Sequence, residues 1–171
     1  MSLIDLEAEG LDWEIRAYEA SDDMQVRKLL EAAFETDLES RLVDALRAEG
    51  SAVIELVAEW EGTIIGYVML SRMTTPRGAL GLGPVATAAN ARRQGVASSL
   101  IESGLALDTA DDWHTVFVLG DLDYYERFGF ERAERFTSPY QGPHWGVTFL
   151  DEDVAPKKGA ADYASAFEMF E

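Results

Sequence analysis

Residues 81–105 read GLGPVATAANARRQGVASSLIESGL, and they decide most of what the sequence predicts. The run 79–87, ALGLGPVAT, is typical of a strand, but its glycines and Pro84 indicate a bulge or an exposed edge, because proline cannot donate to a sheet ladder. The strand is therefore expected to split there. A helix follows, and its buried stripe is predicted to comprise Val96, Leu100, Ile101 and Leu107.

The start of this helix has the chemistry of an anion-binding site. Backbone N–H groups in the first turn of a helix have no intrahelical partner, and the helix dipole is positive there. Gly95 lets a ligand approach the backbone closely, and Ala97 keeps the first turn small. Arg92 or Arg93 can add a charge-assisted contact, so a pyrophosphate is expected on the helix start. The amides expected to hold it are those of Gln94, Gly95, Val96 and Ala97.

Two well-known phosphate-binding motifs do not fit this stretch. The chain contains no GxxxxGK[ST] sequence, which excludes a Walker phosphate loop. Gly81, Gly83 and Ala86 satisfy G-x-G-x-x-A, but a dinucleotide site requires this run to open a helix directly, and Pro84 with TAAN intervenes. A chance glycine cluster on a surface loop stays open as the alternative.

Charge is unevenly distributed along the chain, which has 32 acidic and 14 basic residues and a formal net charge of -18. No Asp or Glu lies between Glu61 and Glu102. If that window shares one face, the face is the best surface for an anion; alternatively, buried strands simply carry few charges. The rest of the chain is strongly acidic, which argues against nucleic-acid binding. This acidic composition is explained equally well by a salt-rich cytosol and by high-GC coding. The arginines of the window are Arg72, Arg77, Arg92 and Arg93.

Composition and length predict one domain over residues 1–171, with a core at 12–150 and a C-terminal loop with a terminal strand or tail at 151–171. The absence of cysteine excludes disulfides and thiolate metal sites, and His114 and His144 lack metal spacing, so no metal is expected. No apolar run approaches the about 20 residues that cross a bilayer, and no signal peptide is recognised. A cytoplasmic protein without a membrane partner is expected.

Strands and helices alternate along the rest of the chain, which predicts an α/β fold. A strand within 12–20 precedes a helix that Ser21 is expected to cap and whose apolar stripe runs from Val26 to Phe34. A second helix is expected to end near Gly50. The other predicted elements are a hairpin of 52–60 and 64–73, with Ile54, Leu56, Ala58 and Trp60 on one face, strands at 79–87, 114–120, 129–133 and 145–151, a helical turn at 121–129, a loop at 152–161 and a strand or tail at 162–170.

The stretch ARRQGVASSLI resembles the acyl-CoA-binding motif Q/R-x-x-G-x-G/A of the GNAT family of N-acetyltransferases, with Arg92, Gly95 and Ala97 at its fixed positions. LGPVAT resembles the family's split fourth strand and YYERFGF its distal signature. VLGDLDYYERFGF together with the terminal YASAF is most similar to the YhbS-type subgroup. The resemblance implies an α/β (α+β) fold with a mixed, mostly antiparallel central sheet, flanked by helices and splayed between the fourth and fifth strands.

The resemblance also implies a reaction, direct attack of an amine on acetyl-CoA, the co-substrate. The backbone of Val85 and Ala86 is expected to pair with the pantetheine arm. Tyr125, four residues before Gly129, matches the family's tyrosine that protonates the coenzyme sulfur. Neighbouring Tyr124 points about 100 degrees away on a helix, so at most one of the two is expected to face the cofactor.

The general base and the acceptor are less defined by the sequence. Glu39 is the candidate base, with a solvated helix glutamate as the alternative, and Asp121 and Asp123 are expected to cap the 121–129 turn. The acceptor is a small-molecule amine or a protein amino group, and the acidic surface favours a cationic one such as a polyamine, an aminoglycoside-like molecule or a lysine side chain.

A protein of another class stays open as the alternative to an enzyme. It is an acyl-CoA-binding sensor or regulatory module that keeps the fold without catalysis. The aromatic C-terminus, 162–170, is expected to cover a sheet edge of its own subunit or of a neighbour, so the protein is predicted to be a monomer or a homodimer.

Overall fold

The computed structural model describes residues 12–107 and 112–170. A seven-stranded sheet has the order β1-β2-β3-β4-β5-β8-β6, and β7 and β9 form a separate two-stranded sheet. The strands are β1 Glu14–Ala17, β2 Ala52–Trp60, β3 Thr63–Arg72, β4 Ala79–Thr87, β5 Thr115–Leu119, β6 Glu131–Arg132, β7 Phe136–Thr137, β8 Trp145–Phe149 and β9 Gly159–Ala160. The helices are α1 Asp23–Ala33, α2 Leu38–Ala48, α3 Val96–Ala106 and α4 Leu122–Tyr125.

The main sheet is mixed and mostly antiparallel, as predicted. Neighbouring strands pair antiparallel throughout it except for β4 and β5, which are parallel. A parallel pair needs a crossover connection, and α3 supplies it. In the part of the chain that the structure describes, no helix is long and apolar enough to cross a bilayer.

The splay predicted between the fourth and fifth strands is present. β4 pairs with β5 only from Ala79 to Leu82. Its pairing with β3 continues to Thr87, but the register shifts so that the residues between Leu82 and Val85 lie in a bulge. Gly83 and Pro84 occupy that bulge, which bends β4 away from β5 and opens a gap between their ends.

Helices cover both faces of the sheet. On one face α3 packs over a buried cluster that contains Ile54, Leu56 and Ala58, with Trp60 against its edge, so the predicted inward face of β2 is confirmed. On the other face α1 and α2 bury their apolar stripes against Tyr67 of β3 and its neighbours. Alternate residues of β3 therefore serve opposite cores, which explains why eight of its ten residues are buried.

Two predicted helix limits are wrong. Ser21 does not cap α1: it lies in a 3-10 turn, and Asp22 is the residue that precedes the helix. The carboxylate of Asp22 instead accepts two hydrogen bonds from Arg16, each 2.8 Å long, which fixes the chain entry. At the end of α3, Leu107 is 48% exposed rather than buried, because the helix stops at Ala106 and the next residue is extended.

The C-terminus also differs from the prediction. Residues 152–161, expected to be a loop, contain β9, which pairs in parallel with β7. Residues 162–170 form no named strand; they contain one isolated bridge at Asp162 and then the 3-10 turn Ser165–Phe170. This turn, called the C-terminal turn below, docks on its own chain next to α2, where the hydroxyl of Ser165 donates to Glu49 at 2.7 Å.

Candidate active site

A cleft of about 510 Å³ lies where β4 diverges from β5, in front of the N-terminus of α3. Three arginines line it and no carboxylate does, so it is called the arginine cleft below. A site with several positive groups and no acidic group favours an anion. Its lining residues are Ala33, Phe34, Val85, Ala86, Thr87, Ala91, Arg92, Arg93, Gly95, Val96, Ala97, Ser98, Tyr124 and Arg127.

The backbone at the start of α3 points unpaired N–H groups into this cleft. Gly95 precedes the helix with φ of 83°, a left-handed conformation that favours glycine, and a Cβ there would meet nothing within 4 Å. The amide of Ser99 donates to the Gly95 carbonyl at 3.0 Å. The amides of the three residues before Ser99 therefore have no partner within the helix, and the positive end of the helix dipole adds to them.

The helix start is held close to the sheet by Gly66 of β3. A Cβ at Gly66 would lie 2.6 Å from a methyl of Val96 and 2.8 Å from one of Leu100, so only glycine permits this approach. The first turn of α3 is thereby fixed against β3 at Gly66, which pairs with Thr87 in the part of β4 that no longer pairs with β5. This contact places the unpaired amides at the mouth of the splay.

The segment between Glu61 and Glu102, called the acid-free window below because it contains no Asp or Glu, does not form one face of the molecule. Arg92 and Arg93 line the arginine cleft, whereas Arg72 pairs with Leu80 near the opposite end of β4. The third cleft arginine is Arg127, which the sequence reasoning missed. Its Nε donates to the carbonyl of Tyr124 at 2.8 Å, and its guanidinium lies 4.3 Å from the centre of the Tyr124 ring. The two residues are three apart in a helical segment, a spacing that places side chains on one face.

The two adjacent tyrosines of α4 line different cavities. Tyr124 faces the arginine cleft, where its hydroxyl lies 3.0 Å from that of Ser98 on α3. Tyr125 faces a second cavity that adjoins the first. This arrangement agrees with the expectation that the two side chains point in different directions from the helix. The structure adds that Tyr124 is the one that lines the arginine cleft.

The second cavity has a volume of about 260 Å³ and adjoins the arginine cleft at Phe34 and Val85, which line both. Six aromatic rings line it, so it is called the aromatic pocket below. The sequence reasoning identified only Tyr125 and Glu39 among its residues as site candidates. Its lining residues are Phe34, Glu39, Leu42, Leu82, Gly83, Pro84, Val85, Leu119, Tyr125, Tyr140, Tyr163, Phe167 and Phe170.

Tyr125 is packed into the wall of the aromatic pocket beside the β4 bulge. A Cβ at Gly120 would lie 2.8 Å from its ring, and Phe130 packs edge-on at 5.8 Å between ring centres. Burial raises the pKa of Tyr125 to about 12, with a further contribution from Tyr124. The phenol therefore stays protonated at neutral pH and can donate a proton or a hydrogen bond.

Of the residues that the structure describes, Glu39, in the first turn of α2, is the only Asp or Glu that lines the aromatic pocket. Its Oε2 atom is buried and has no hydrogen-bond partner among the described residues. Burial raises the pKa of this carboxyl. An unpaired carboxylate in apolar surroundings gains from a proton or a cation, so Glu39 is disposed to accept one.

The other sequence-predicted residues fall into place around these two cavities. Ala86, Gly95, Val96 and Ala97 line the arginine cleft, and Gln94 is not among its lining residues. Asp121 caps α4 by accepting from the amide of Asp123 at 3.0 Å, as predicted for Asp121; Asp123 itself lies within the helix.

Neither histidine lies at these cavities. His114 directly precedes β5, with its ring nitrogens 2.7 Å from the Thr115 hydroxyl and 2.8 Å from the Arg77 carbonyl. His144 is exposed in the turn before β8.

Comparison with known proteins identifies the architecture. Residues 12–130 match the model of the acetyltransferase (GNAT) family. The N-acetyltransferase YhbS of Escherichia coli K12 is 37% identical over 151 residues, which cover 83% of this chain and 90% of that protein.

Solved structures give the same result. A crystal structure of YhbS from Escherichia coli in complex with CoA has a TM-score of 0.85, 31% identity and 95% coverage of both chains. A GNAT acetyltransferase from Brucella melitensis in complex with acetyl-CoA has a TM-score of 0.76 and 30% identity, covering 91% of this chain and 97% of that one. With a family match over more than half of its length, the chain belongs to the GNAT family of acetyltransferases.

Proposed function

We propose that this acetyltransferase transfers the acetyl group of acetyl-CoA to a primary amine by direct attack, with the cofactor in the arginine cleft and the acceptor in the aromatic pocket. The observation that carries the proposal is the junction of the two cavities at Val85, beside the bulge that splays β4 from β5. Acetyl-CoA and CoA are the molecules with which the two structural relatives were crystallised.

The arginine cleft fits the pyrophosphate of a coenzyme. The backbone amides of Val96, Ala97 and Ser98 form the base of the site, and Arg92 and Arg93 flank it. Helix-terminal amides and guanidinium groups are the donors that bind phosphate oxygens in proteins. Arg127, from the segment just after α4, supplies a third positive charge, as suits a ligand with several phosphates.

The free edge of β4 fits the pantetheine arm. Beyond Leu82 the strand no longer pairs with β5, while Val85 and Ala86 still pair with Val68 and Tyr67 of β3. Backbone polar groups of successive strand residues point alternately to the two edges of the strand, so in this part of β4 alternate residues present theirs to the gap. Those groups can hydrogen-bond to an extended chain of amides, as an added strand would. Such an arm leads from the arginines to the junction with the aromatic pocket.

The aromatic pocket, which adjoins the cleft at this junction, contains a candidate proton donor, Tyr125, and a candidate proton acceptor, Glu39. The thioester supplies an activated acetyl group. The amine nitrogen bonds to the carbonyl carbon, and the carbon–sulfur bond breaks. Of the two protons that the ammonium nitrogen loses, one ends on the coenzyme sulfur through Tyr125 and one leaves through Glu39. The raised pKa values of Tyr125 and Glu39 suit these roles, because the first stays protonated and the second takes up protons more readily.

The sensor alternative is weakened by Glu39. A sensor needs no general base, whereas the aromatic pocket contains a carboxylate whose Oε2 atom is buried without a hydrogen-bond partner among the described residues. Release of CoA that is stimulated by an amine separates the two functions. A sensor binds acetyl-CoA without such release.

The test is calorimetric titration of acetyl-CoA into the wild type and into Gly95→Glu. The new carboxylate would occupy the proposed pyrophosphate site at the N-terminus of α3, and we expect acetyl-CoA binding to weaken by more than about 100-fold. Gly62→Glu is the matched control, because Gly62 also has a left-handed φ, of 80°, and open space around it, but lies in the β2–β3 turn. Equal affinity in Gly95→Glu and the wild type would place the cofactor elsewhere.

A further inference from the structure

The aromatic pocket restricts the kind of amine that this enzyme can accept; the argument rests on the proposed function. Its volume of about 260 Å³ lies below the range of about 300 to 1,000 Å³ that is usual for small-molecule sites. It therefore suits a single slender arm rather than a large branched molecule. Among its lining residues Glu39 is the only carboxylate, and none is Lys, Arg or His.

The pocket wall opposite the cofactor is built by the C-terminus. Tyr163 packs against Phe167 with ring centres 4.8 Å apart and ring planes tilted by 43°, and it meets Tyr140 edge-on at 5.3 Å. The indole N–H of Trp145 donates to the hydroxyl of Tyr163 at 3.1 Å. These contacts fix the rings in place, so the wall is preorganised and presents mainly carbon atoms to a ligand.

The C-terminal turn and Tyr163 just before it are tied to the rest of the molecule through Glu49 and Thr74. Glu49, just after α2, accepts from the hydroxyl of Ser165 at 2.7 Å and from the amide of Ala166 at 3.4 Å. The hydroxyl of Thr74 donates to the carbonyl of Tyr163 at 3.0 Å. Phe167 and Phe170 are thereby held against the pocket that also contains Glu39.

A polycation is a poor fit to such a pocket. One ammonium can pair with Glu39, but a second would be transferred from water into an aromatic cavity with no carboxylate to meet it. Burying an unpaired charge is costly, whereas an apolar arm gains from contact with the rings. The acidic surface elsewhere on the chain does not remove this cost, because surface charges affect the rate of association more than the stability of the bound complex.

We infer that the acceptor is a primary amine on a single uncharged apolar arm, arylalkyl or alkyl, and that the C-terminal turn determines this specificity through Phe167 and Phe170. The cationic acceptors favoured by composition, such as polyamines, are disfavoured by the pocket. The inference identifies the acceptor class of the same site, and it gives a role to the C-terminal aromatic residues.

The experiment compares 2-phenylethylamine with spermidine as acceptors, using the full chain and saturating acetyl-CoA. We expect kcat/KM to be at least about tenfold higher for 2-phenylethylamine, since one unpaired buried charge outweighs this factor. Turnover of spermidine that equals or exceeds that of 2-phenylethylamine would overturn the inference and leave the proposed function intact.

Variants of the C-terminal turn test its role. Phe170, which is 40% exposed, can be truncated with little cost to folding, and Phe170→Ala should lower kcat/KM for 2-phenylethylamine about five- to tenfold. Phe167→Ala should lower it further. Met169→Ala is the control on the same turn, because Met169 packs against the α1–α2 core and not in the pocket. Unchanged selectivity in both phenylalanine variants would exclude the turn as the determinant.

If neither 2-phenylethylamine nor spermidine stimulates release of CoA, the proposed function fails. The acceptor class is then tested separately, by measuring amine binding. Titration of 2-phenylethylamine into the CoA-loaded protein should then show binding that Phe170→Ala weakens. No binding of 2-phenylethylamine would overturn the inference as well.

Discussion

The arginine cleft and the aromatic pocket adjoin, but they are assembled in different ways. Most of the arginine cleft comes from the continuous segment 85–98, and Ala33, Phe34, Tyr124 and Arg127 complete it. The aromatic pocket draws on residues from the end of α1 to the C-terminal turn, spread over 34–170. A site built from one segment is readable as a motif, whereas a site built from many segments exists only in the folded chain.

Their chemistry differs in the same way. The arginine cleft offers positive charge and backbone N–H groups, as a common anionic cofactor requires. The aromatic pocket offers rings and one buried carboxylate, as suits one class of amine. The cleft is therefore expected to control cofactor affinity, and the pocket to control turnover and acceptor choice. Substitutions that change cofactor affinity without changing turnover, or the reverse, test whether the two cavities have separate roles.

The largest expected effect comes from the two adjacent tyrosines. Tyr125→Phe should lower kcat by about 10² to 10³, because it removes the proton donor at the sulfur, while the Kd for acetyl-CoA stays within about twofold. Tyr124→Phe should leave kcat nearly unchanged and weaken acetyl-CoA binding slightly, since it removes only the contact with Ser98. Single-turnover kinetics and calorimetry measure the two quantities. Equal effects of both substitutions on kcat would contradict the division.

The next effect concerns Glu39 and pH. Glu39→Gln should lower kcat/KM by about 10², the low end of the range for general acid–base catalysis. In the wild type, activity should fall as pH drops through the raised pKa of Glu39, because the base must be deprotonated; this limb should lie above the ordinary glutamate value of about 4.3 and vanish in the variant. Glu35→Gln, an exposed glutamate outside the pocket, is the control. An acid limb that persists in Glu39→Gln would assign the base to another group.

The smallest effect is expected in the arginine cleft. Arg92→Ala and Arg93→Ala should each raise the Kd for acetyl-CoA about five- to tenfold, as for one partly exposed charge-assisted contact, with kcat nearly unchanged. The difference from the wild type should shrink with added salt. Arg77→Ala, an exposed arginine outside both cavities, serves as the control. An effect of Arg77→Ala equal to that of Arg92→Ala would mean that all the arginines of the acid-free window attract the cofactor through long-range electrostatics, without a specific contact in the cleft.

The sequence predicted the local parts of this structure well. The splay between β4 and β5 was implied by the family resemblance. Pro84 beside Gly83 predicted the bulge in β4, and the alternation of Ile54, Leu56 and Ala58 predicted which face of β2 is buried. Each of these follows from neighbouring residues and the period of a strand. The same holds for Gly95 at the start of α3, whose backbone conformation is set within a few residues.

The parts that the sequence did not predict depend on distant contacts. Ser21 failed as a cap because Arg16 holds Asp22 from β1, and Leu107 is exposed because α3 ends one residue earlier. Tyr163 and Phe167 were assigned to a strand or tail, since nothing local indicates that Tyr163 packs between Tyr140 and Phe167. Arg127 was the exception: its spacing from Tyr124 was visible and could have indicated a shared helix face.

The most direct test of the two-cavity account is a crystal structure of the protein with CoA and 2-phenylethylamine. The account predicts the pyrophosphate within hydrogen-bond distance of the amides of Val96–Ser98, the sulfur near Val85 facing Tyr125, and the amine nitrogen between the sulfur and Glu39. A coenzyme that avoids the arginine cleft, or an amine bound outside the aromatic pocket, would contradict it.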